Sequence, residues 1–170
     1  DILSSTRRKL FTGREKEVQS FKSIIQQPDL STYLLYVYGP GGQGKTTLIK
    51  EFIEICKQSN VDCLKLDGRE INASPHDFTK AIKLGLATED DVFTALQNKE
   101  DRFVLLVDTY ELLNPIDDWL RQEFLPQMPD NVLTIISGRT APSKNWTLDA
   151  AWQQLMKVIQ IRNFSPAESK

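Results

Sequence analysis

A three-layer α/β fold, with a mostly parallel sheet between two helical layers, is what the sequence predicts. Three observations lead there. Short apolar runs alternate with amphipathic helical stretches along the chain. Those runs are nearly continuous instead of alternating with polar residues, as in strands buried on both faces. A glycine-rich segment, residues 39–47, joins one such run to a helix. With 170 residues, 40% of them hydrophobic, the chain is long enough to bury a core without disulfides or metals.

The elements follow in order. Val18, Phe21, Ile24 and Ile25 share one face of a helix over Glu15–Gln27, which Pro28-Asp29 ends. Tyr33–Tyr38 has the length and aromatic content of a buried strand. Leu48, Ile49, Phe52, Ile53 and Cys56 predict a helix over Lys45–Gln58, and Val61–Leu66 a second strand closed by Asp67-Gly68. Ser74-Pro75-His76-Asp77 opens a helix with Phe78, Ala81 and Ile82 as its apolar stripe. Thr88 is expected to cap the next, with Val92, Phe93 and Leu96 facing inward. Phe103–Val107 is an uninterrupted apolar run tipped by Asp108, a fully buried strand. Ile116, Trp119, Leu120 and Phe124 mark a helix stopped at Pro126, and Val132–Ile136 a fourth strand running out into Ser137-Gly138-Arg139. Leu148, Ala151, Trp152 and Leu155 predict a last helix, Val158–Ile161 a fifth strand. Ligands of such sheets bind beyond the carboxyl ends of the strands.

Charge and composition exclude several classes. Lys and Arg number 21 against 23 Asp and Glu, which speaks against a nucleic-acid partner held by bulk charge and against a polybasic membrane surface. Tyr33–Tyr38 is far too short to span a bilayer, and no charged-then-apolar segment opens the chain as a secretory signal. Cys56 and Cys63 fit no zinc or redox spacing and read as small buried hydrophobes, while a single histidine rules out multi-histidine metal chemistry. A cytoplasmic protein is the expectation. The chain begins at Asp1 without an initiator Met, and Ser165-Pro166-Ala167-Glu168 carries the cap signals of a helix that has no body. It reads as a piece of a longer protein.

Gly39-Pro40-Gly41-Gly42-Gln43-Gly44-Lys45-Thr46 matches G-x-x-x-x-G-K-[ST] in full, and Thr47 follows it. Glycines let successive backbone N–H groups converge on a polyphosphate, and the helix N-terminus adds its own unpaired N–H groups. In that frame Gly39, Gly41, Gly42, Gly44, Lys45, Thr46 and Thr47 hold the phosphates of a nucleotide, and the Thr46 hydroxyl serves Mg²⁺. Asp108, delivered by a buried strand some sixty residues later, is the second metal residue. Thr109 follows it where an acid might stand, so Glu111 is the candidate for orienting or deprotonating the attacking water. Arg139, at the end of the fourth strand, is placed to sense a γ-phosphate.

These segments resemble the nucleotide-binding domain of the STAND branch of AAA+-like P-loop ATPases, the bacterial signalling type in particular. Phe11-Thr12-Gly13-Arg14-Glu15 is similar to its "GRE" box, which implies Phe11, Gly13 and Arg14 on the adenine side. Leu105–Glu111 resembles its Walker B segment in the "DTxE" form, Trp119-Leu120-Arg121 with Leu125-Pro126 the helix after it, and Ile135–Arg139 the sensor strand. The resemblance implies sheet order 5-1-4-3-2, a linker over 1–10, an ATPase core over 11–164 and the start of a lid helix over 165–170. It also implies slow ATP hydrolysis serving as a signalling switch, with other domains of the parent chain as partners and self-association on ATP binding.

Three other readings stand beside it. Asn98-Lys99-Glu100-Asp101 matches the guanine-reading N-K-x-D, yet it precedes the Asp108 strand and reads better as a polar turn. A small-molecule P-loop kinase would want an arginine-rich lid, whereas residues 68–100 hold only Arg69 among arginines. A binding-only ATP/ADP switch fits the missing second acid. Arg7, Arg8 and Lys9 lack the aromatic interleaving of a nucleic-acid surface.

Overall fold

The computed structural model describes residues 2–3, 15–41 and 43–162. Its element order is α1 (Glu15–Gln26), β1 (Leu34–Tyr38), α2 (Gln43–Gln58), β2 (Asp62–Asp67), α3 (Pro75–Leu86), α4 (Val92–Gln97), β3 (Phe103–Asp108), α5 (Asp117–Trp119), β4 (Val132–Gly138), α6 (Lys144–Thr147), α7 (Ala150–Leu155) and β5 (Met156–Gln160). All strand pairings are parallel, and the sheet runs β2-β3-β4-β1-β5. This is the order 5-1-4-3-2 met from the other edge. Loops that fall between parallel strands force crossovers, and the helices of those crossovers cover both faces.

Side chains of alternate strand residues enter two cores. Leu35, Val37, Val104, Leu106, Leu133 and Ile135 pack with α1 and α2, where the rings of Phe21 and Phe52 stack at 4.4 Å. Leu34, Tyr36, Leu105, Val107, Val132 and Ile136 pack on the opposite face with Phe78, Ile82, Tyr110 and Trp146. β1, β3 and β4 are therefore buried almost throughout, as the apolar runs required. β2 departs from that pattern. Among the described residues it is an edge strand with only β3 beside it, and residues such as Asp62 and Lys65 are exposed along it.

The structure corrects several local expectations. Asp91, not Thr88, caps α4, accepting from the N–H groups of Phe93 and Thr94, both at 3.1 Å. Thr88 instead accepts from Asp90 N–H one turn earlier. The helix expected around Ile116–Phe124 is irregular. A 3₁₀ segment over Tyr110–Ile116 containing Pro115 leads into α5, a π-helical turn over Leu120–Phe124 and a closing 3₁₀ turn at Leu125–Gln127. Pro126 has no N–H to donate to the turn before it and its ring crowds that turn's carbonyl, so the helix cannot close regularly; Leu125 N–H reaches Leu120 C=O instead. Leu148 is 75% exposed, because the last helix is two short pieces with Leu148 at the junction. Trp146, one turn earlier, is fully buried in its place. Ser74 caps α3 as expected, and Asn98–Asp101 form a turn between α4 and β3. Among the described residues no helix is long and apolar enough to cross a membrane.

Candidate nucleotide site

The carboxyl ends of β1, β4 and β3 lie side by side, and each carries part of the site. β1 ends at Tyr38 and the glycine-rich turn feeds α2, so Lys45, Thr46 and Thr47 occupy that helix's first turn. No acidic residue stands in that turn to neutralise its N–H groups. Gly39 N–H donates to Gly138 C=O at 3.2 Å, tying the loop to the tip of β4. The bare α-carbon of Gly39 also lets the Ile161 carbonyl come into contact, and any side chain there would overlap that backbone. Lys45 Nζ folds back to donate to Gly39 C=O at 3.3 Å, holding an ammonium across the mouth of the loop.

Arg139 closes the arrangement from β4. A side-chain carbon added to Gly41 would sit 3.3 Å from Arg139 Nη2, so the guanidinium rests on the glycine-rich loop. The same arginine engages Glu111. Its backbone N–H donates to Glu111 Oε1 at 3.0 Å, and its Nε lies 3.8 Å from Oε2. Arg139 is 67% exposed and Glu111 24%, so the pair sits at the rim with the guanidinium toward solvent. Three segments far apart in sequence thus meet at one place: the glycine-rich loop, the turn after β3 and the end of β4.

Asp108 terminates β3. Its Oδ1 accepts from Thr109 N–H at 2.8 Å, and Lys65 Nζ stands 4.0 Å from Oδ2. Thr109 takes the left-handed conformation, φ 56° and ψ 44°, turning the chain sharply into the 3₁₀ segment that presents Glu111. Below it, Tyr110 donates its hydroxyl to Asp117 Oδ1, which also accepts from Trp146 Nε1 at 2.9 Å; Asp117 Oδ2 meets Arg121 Nη1 at 3.3 Å. Burial and then the bond to Asp117 push the Tyr110 phenol well above its ordinary pKa, so it stays a neutral donor. This network anchors the Glu111 turn to α6.

The residues fit a magnesium nucleotide on their chemistry. Thr46 and Asp108 offer hard oxygen donors of the kind Mg²⁺ takes one or two at a time, with phosphate and water completing the shell. Ser137, fully buried at the tip of β4, has a hydroxyl with no partner among the described residues, a polar group ready for a bound water or ligand oxygen. Of the residues expected at the site, Gly39, Gly41, Lys45, Arg139 and Glu111 are brought together. Gly44, Thr46 and Thr47 start α2 beside them, and Asp108 stands one strand beyond Arg139. Phe11, Gly13, Arg14 and Gly42 lie outside the described residues, as do 165–170.

Sequence reasoning missed Asp67 and Arg69. Asp67 tips β2 in register with Asp108 and binds the Arg69 guanidinium through both carboxylate oxygens, the shortest contact at 2.7 Å. That arginine holds the Asp67 carboxyl at about 2, below the usual carboxylate range. The available signal was that two strands, Cys63–Leu66 and Phe103–Val107, both end in Asp.

Solved structures share this architecture. The chain aligns with one of Drosophila ORC bound to DNA at a TM-score of 0.71 and 19% identity, over 96% of this chain and 46% of that one. The fold is the α/β P-loop fold of AAA+ proteins. Cdc6p from Pyrobaculum aerophilum aligns at a TM-score of 0.62 and 18% identity, over 86% of this chain and 44% of that one. PCH-2 of C. elegans aligns at 0.50 and 20% identity, over 88% and 41%. The chain spans less than half the length of each. No protein-family model matches it, and no curated protein matches it significantly.

Proposed function

We propose that this chain is the Mg-ATP-binding core of a STAND/AAA+-like ATPase, a slow nucleotide-dependent switch within a larger cytoplasmic signalling protein. The observation that carries this is the meeting of Arg139 with Gly41 of the phosphate loop on one side and Glu111 on the other. Lys45 and the loop amides hold the β and γ phosphates, Thr46 and Asp108 hold the metal, and Phe11, Gly13 and Arg14 form the adenine side. Bound magnesium neutralises phosphate charge as it develops. Glu111 orients the attacking water, and in the structure its carboxylate is already engaged by Arg139. A γ-phosphate competes for that guanidinium, so Arg139 leaves Glu111 only when ATP is present. ADP lacks the competing group. Coupling of this kind makes the two nucleotides distinguishable and makes turnover slow, and Thr109 in place of a second acid points the same way. The engaged state of Glu111 also favours a second reading, an ATP/ADP switch that scarcely hydrolyses. Other domains of the parent chain are the partners that read the switch, along with a second copy on ATP binding.

Comparing ATP with ADP affinity in the wild type and in Arg139→Ala tests this. The wild type is expected to prefer ATP and the variant to bind both alike. An ATP/ADP ratio unchanged by the substitution refutes the sensor role.

A further inference from the structure

Three buried side-chain polar atoms lack a hydrogen-bond partner among the described residues: Glu17 Oε2, Arg102 Nε and Ser137 Oγ. Arg102, at the amino end of β3, is held through its other nitrogens, which donate to the Gln27, Pro28 and Asp130 carbonyls. Glu17, in the first turn of α1, has a second carboxylate oxygen. Ser137 has no other polar side-chain atom, and it is fully buried. Strand alternation places its hydroxyl. Along β4, Leu133 and Ile135 face the core under α2, whereas Ile136 faces the opposite core. Ser137 therefore lies on the α2 side, as does Val37, its register partner on β1. Gly138 fits the alternation, since a Cβ there would approach Tyr110 and Glu111 on the other face. On β3, Val104 and Leu106 lie on the α2 side, and so by alternation does Asp108. The last β3–β4 pair is Val107 with Ile136, so Ser137 falls one step on, beside Asp108. The helix covering this face carries Thr46 in its first turn. A buried, unbonded hydroxyl thus stands at the carboxyl end of the sheet, on the face shared by Thr46 and Asp108.

We propose that Ser137 is a further residue of the magnesium site, its hydroxyl accepting a hydrogen bond from a water of the metal's shell. Leaving a buried hydroxyl unbonded costs free energy, so this position calls for a partner from outside the described chain. Mg²⁺ dehydrates reluctantly, keeps several waters and takes only one or two protein carboxylates. Each retained water presents hydrogens that need acceptors. Asp108 is partly engaged already: Oδ1 accepts Thr109 N–H at 2.8 Å, and Lys65 Nζ stands 4.0 Å from Oδ2. The neighbouring Ser137 Oγ has both lone pairs open. A serine acting only as a small filler between β1 and β3 would do as well as alanine and would strand no polar atom. A phosphate oxygen is the other group that could meet the hydroxyl, but the place beside Asp108 favours the metal's water. The inference rests on the nucleotide-binding reading above, which assigns Thr46 and Asp108 to the metal.

The test compares wild type with Ser137→Ala and Ser137→Cys. Two quantities are read: the urea midpoint without nucleotide, and calorimetric ATP affinity with Mg²⁺ and in EDTA. Cysteine fills the serine's space, while its sulfur is only a weak acceptor. Both variants are expected to unfold at the wild-type urea concentration or above, because neither strands a hydroxyl. Affinity with Mg²⁺ should fall roughly two- to tenfold in both, the worth of one neutral hydrogen bond, and affinity in EDTA should stay at the wild-type value. A packing role would instead lower the midpoint and both affinities together. A midpoint lowered in both variants would mean that the hydroxyl is bonded within the chain, which overturns the proposal. So would Ser137→Cys binding Mg-ATP as wild type does while Ser137→Ala loses affinity, since volume alone would then explain the loss. Equal losses with and without Mg²⁺ would assign the hydroxyl to a phosphate oxygen and overturn the metal role. A wild type that binds ATP in neither buffer removes the nucleotide reading and this role together. A wild type that binds, with both variants matching it, removes the role of Ser137 alone.

Discussion

Replacing Glu111 by Gln separates the two jobs assigned to that carboxylate. Glutamine keeps an oxygen where Oε1 accepts Arg139 N–H at 3.0 Å, so the main-chain tie survives. It loses the charge that faces Arg139 Nε at 3.8 Å. With Arg139 67% exposed, that ion pair is screened by water and is worth roughly 0.2–1 kcal/mol. The fold should therefore lose no more than about 1 kcal/mol in urea unfolding. The same small energy, no longer opposing the transfer of Arg139 to phosphate, should leave ATP binding equal or up to about fivefold tighter. Hydrolysis is affected on a different scale, because removing a general base costs roughly 10²–10⁴-fold. Calorimetry for affinity and a phosphate-release assay for turnover read the two effects on one sample. Turnover equal to wild type would clear Glu111 of any catalytic role. ATP binding much weaker than wild type would mean that Glu111 supports Arg139 at the phosphate instead of competing for it.

Lys45→Ala should leave the melting curve nearly unchanged, since among the described residues Lys45 bonds only Gly39 C=O, at 3.3 Å. ATP affinity, measured calorimetrically, should fall roughly 10- to 150-fold, the worth of a hydrogen bond to a charged group. Trp146→Ala empties a fully buried site where the indole packs edge-on to Tyr36 and bonds Asp117 at 2.9 Å. It should cost about 3–5 kcal/mol by urea unfolding, and Trp146→Phe less. Asp67 titrates at about 2 in the folded chain and higher when unfolded, so its stabilisation is complete above pH 4. That stabilisation drains away as pH falls from about 4 toward 2. The urea midpoint of Asp67→Asn should accordingly fall less steeply than wild type through that window, and parallel curves would refute the assignment.

What was legible in the sequence is what local pattern dictates. Unbroken apolar runs such as Phe103–Val107 can only be strands covered on both faces, and they are. The glycine-rich loop is written in consecutive residues, so its place between β1 and α2 follows directly. Boundaries moved where a competing side chain was available, as when Asp91 displaced Thr88 at the cap of α4. Helical spacing drew Leu148 into the core and overlooked Trp146, because periodicity assumes one continuous helix and the chain makes two.

The site's cross-connections were illegible for a different reason. Glu111 and Arg139 are each visible as strand-end residues, but their pairing depends on β3 and β4 being neighbours and on a left-handed turn at Thr109. Nothing near Thr109 in sequence announces that turn, whose carbonyl lies against Gly68, some forty residues earlier. Asp67-Gly68 looked like a strand stop, which it also is. That Gly68 lies against the Thr109 backbone appears only when the two strand tips are set side by side.

Titrating the chain with Mg-ATP and with Mg-GTP, in parallel with Lys45→Ala, tests the nucleotide site most directly. ATP should bind more tightly than GTP, and Lys45→Ala should abolish most of that binding. Tighter binding of GTP, or ATP binding indifferent to Lys45, would contradict it.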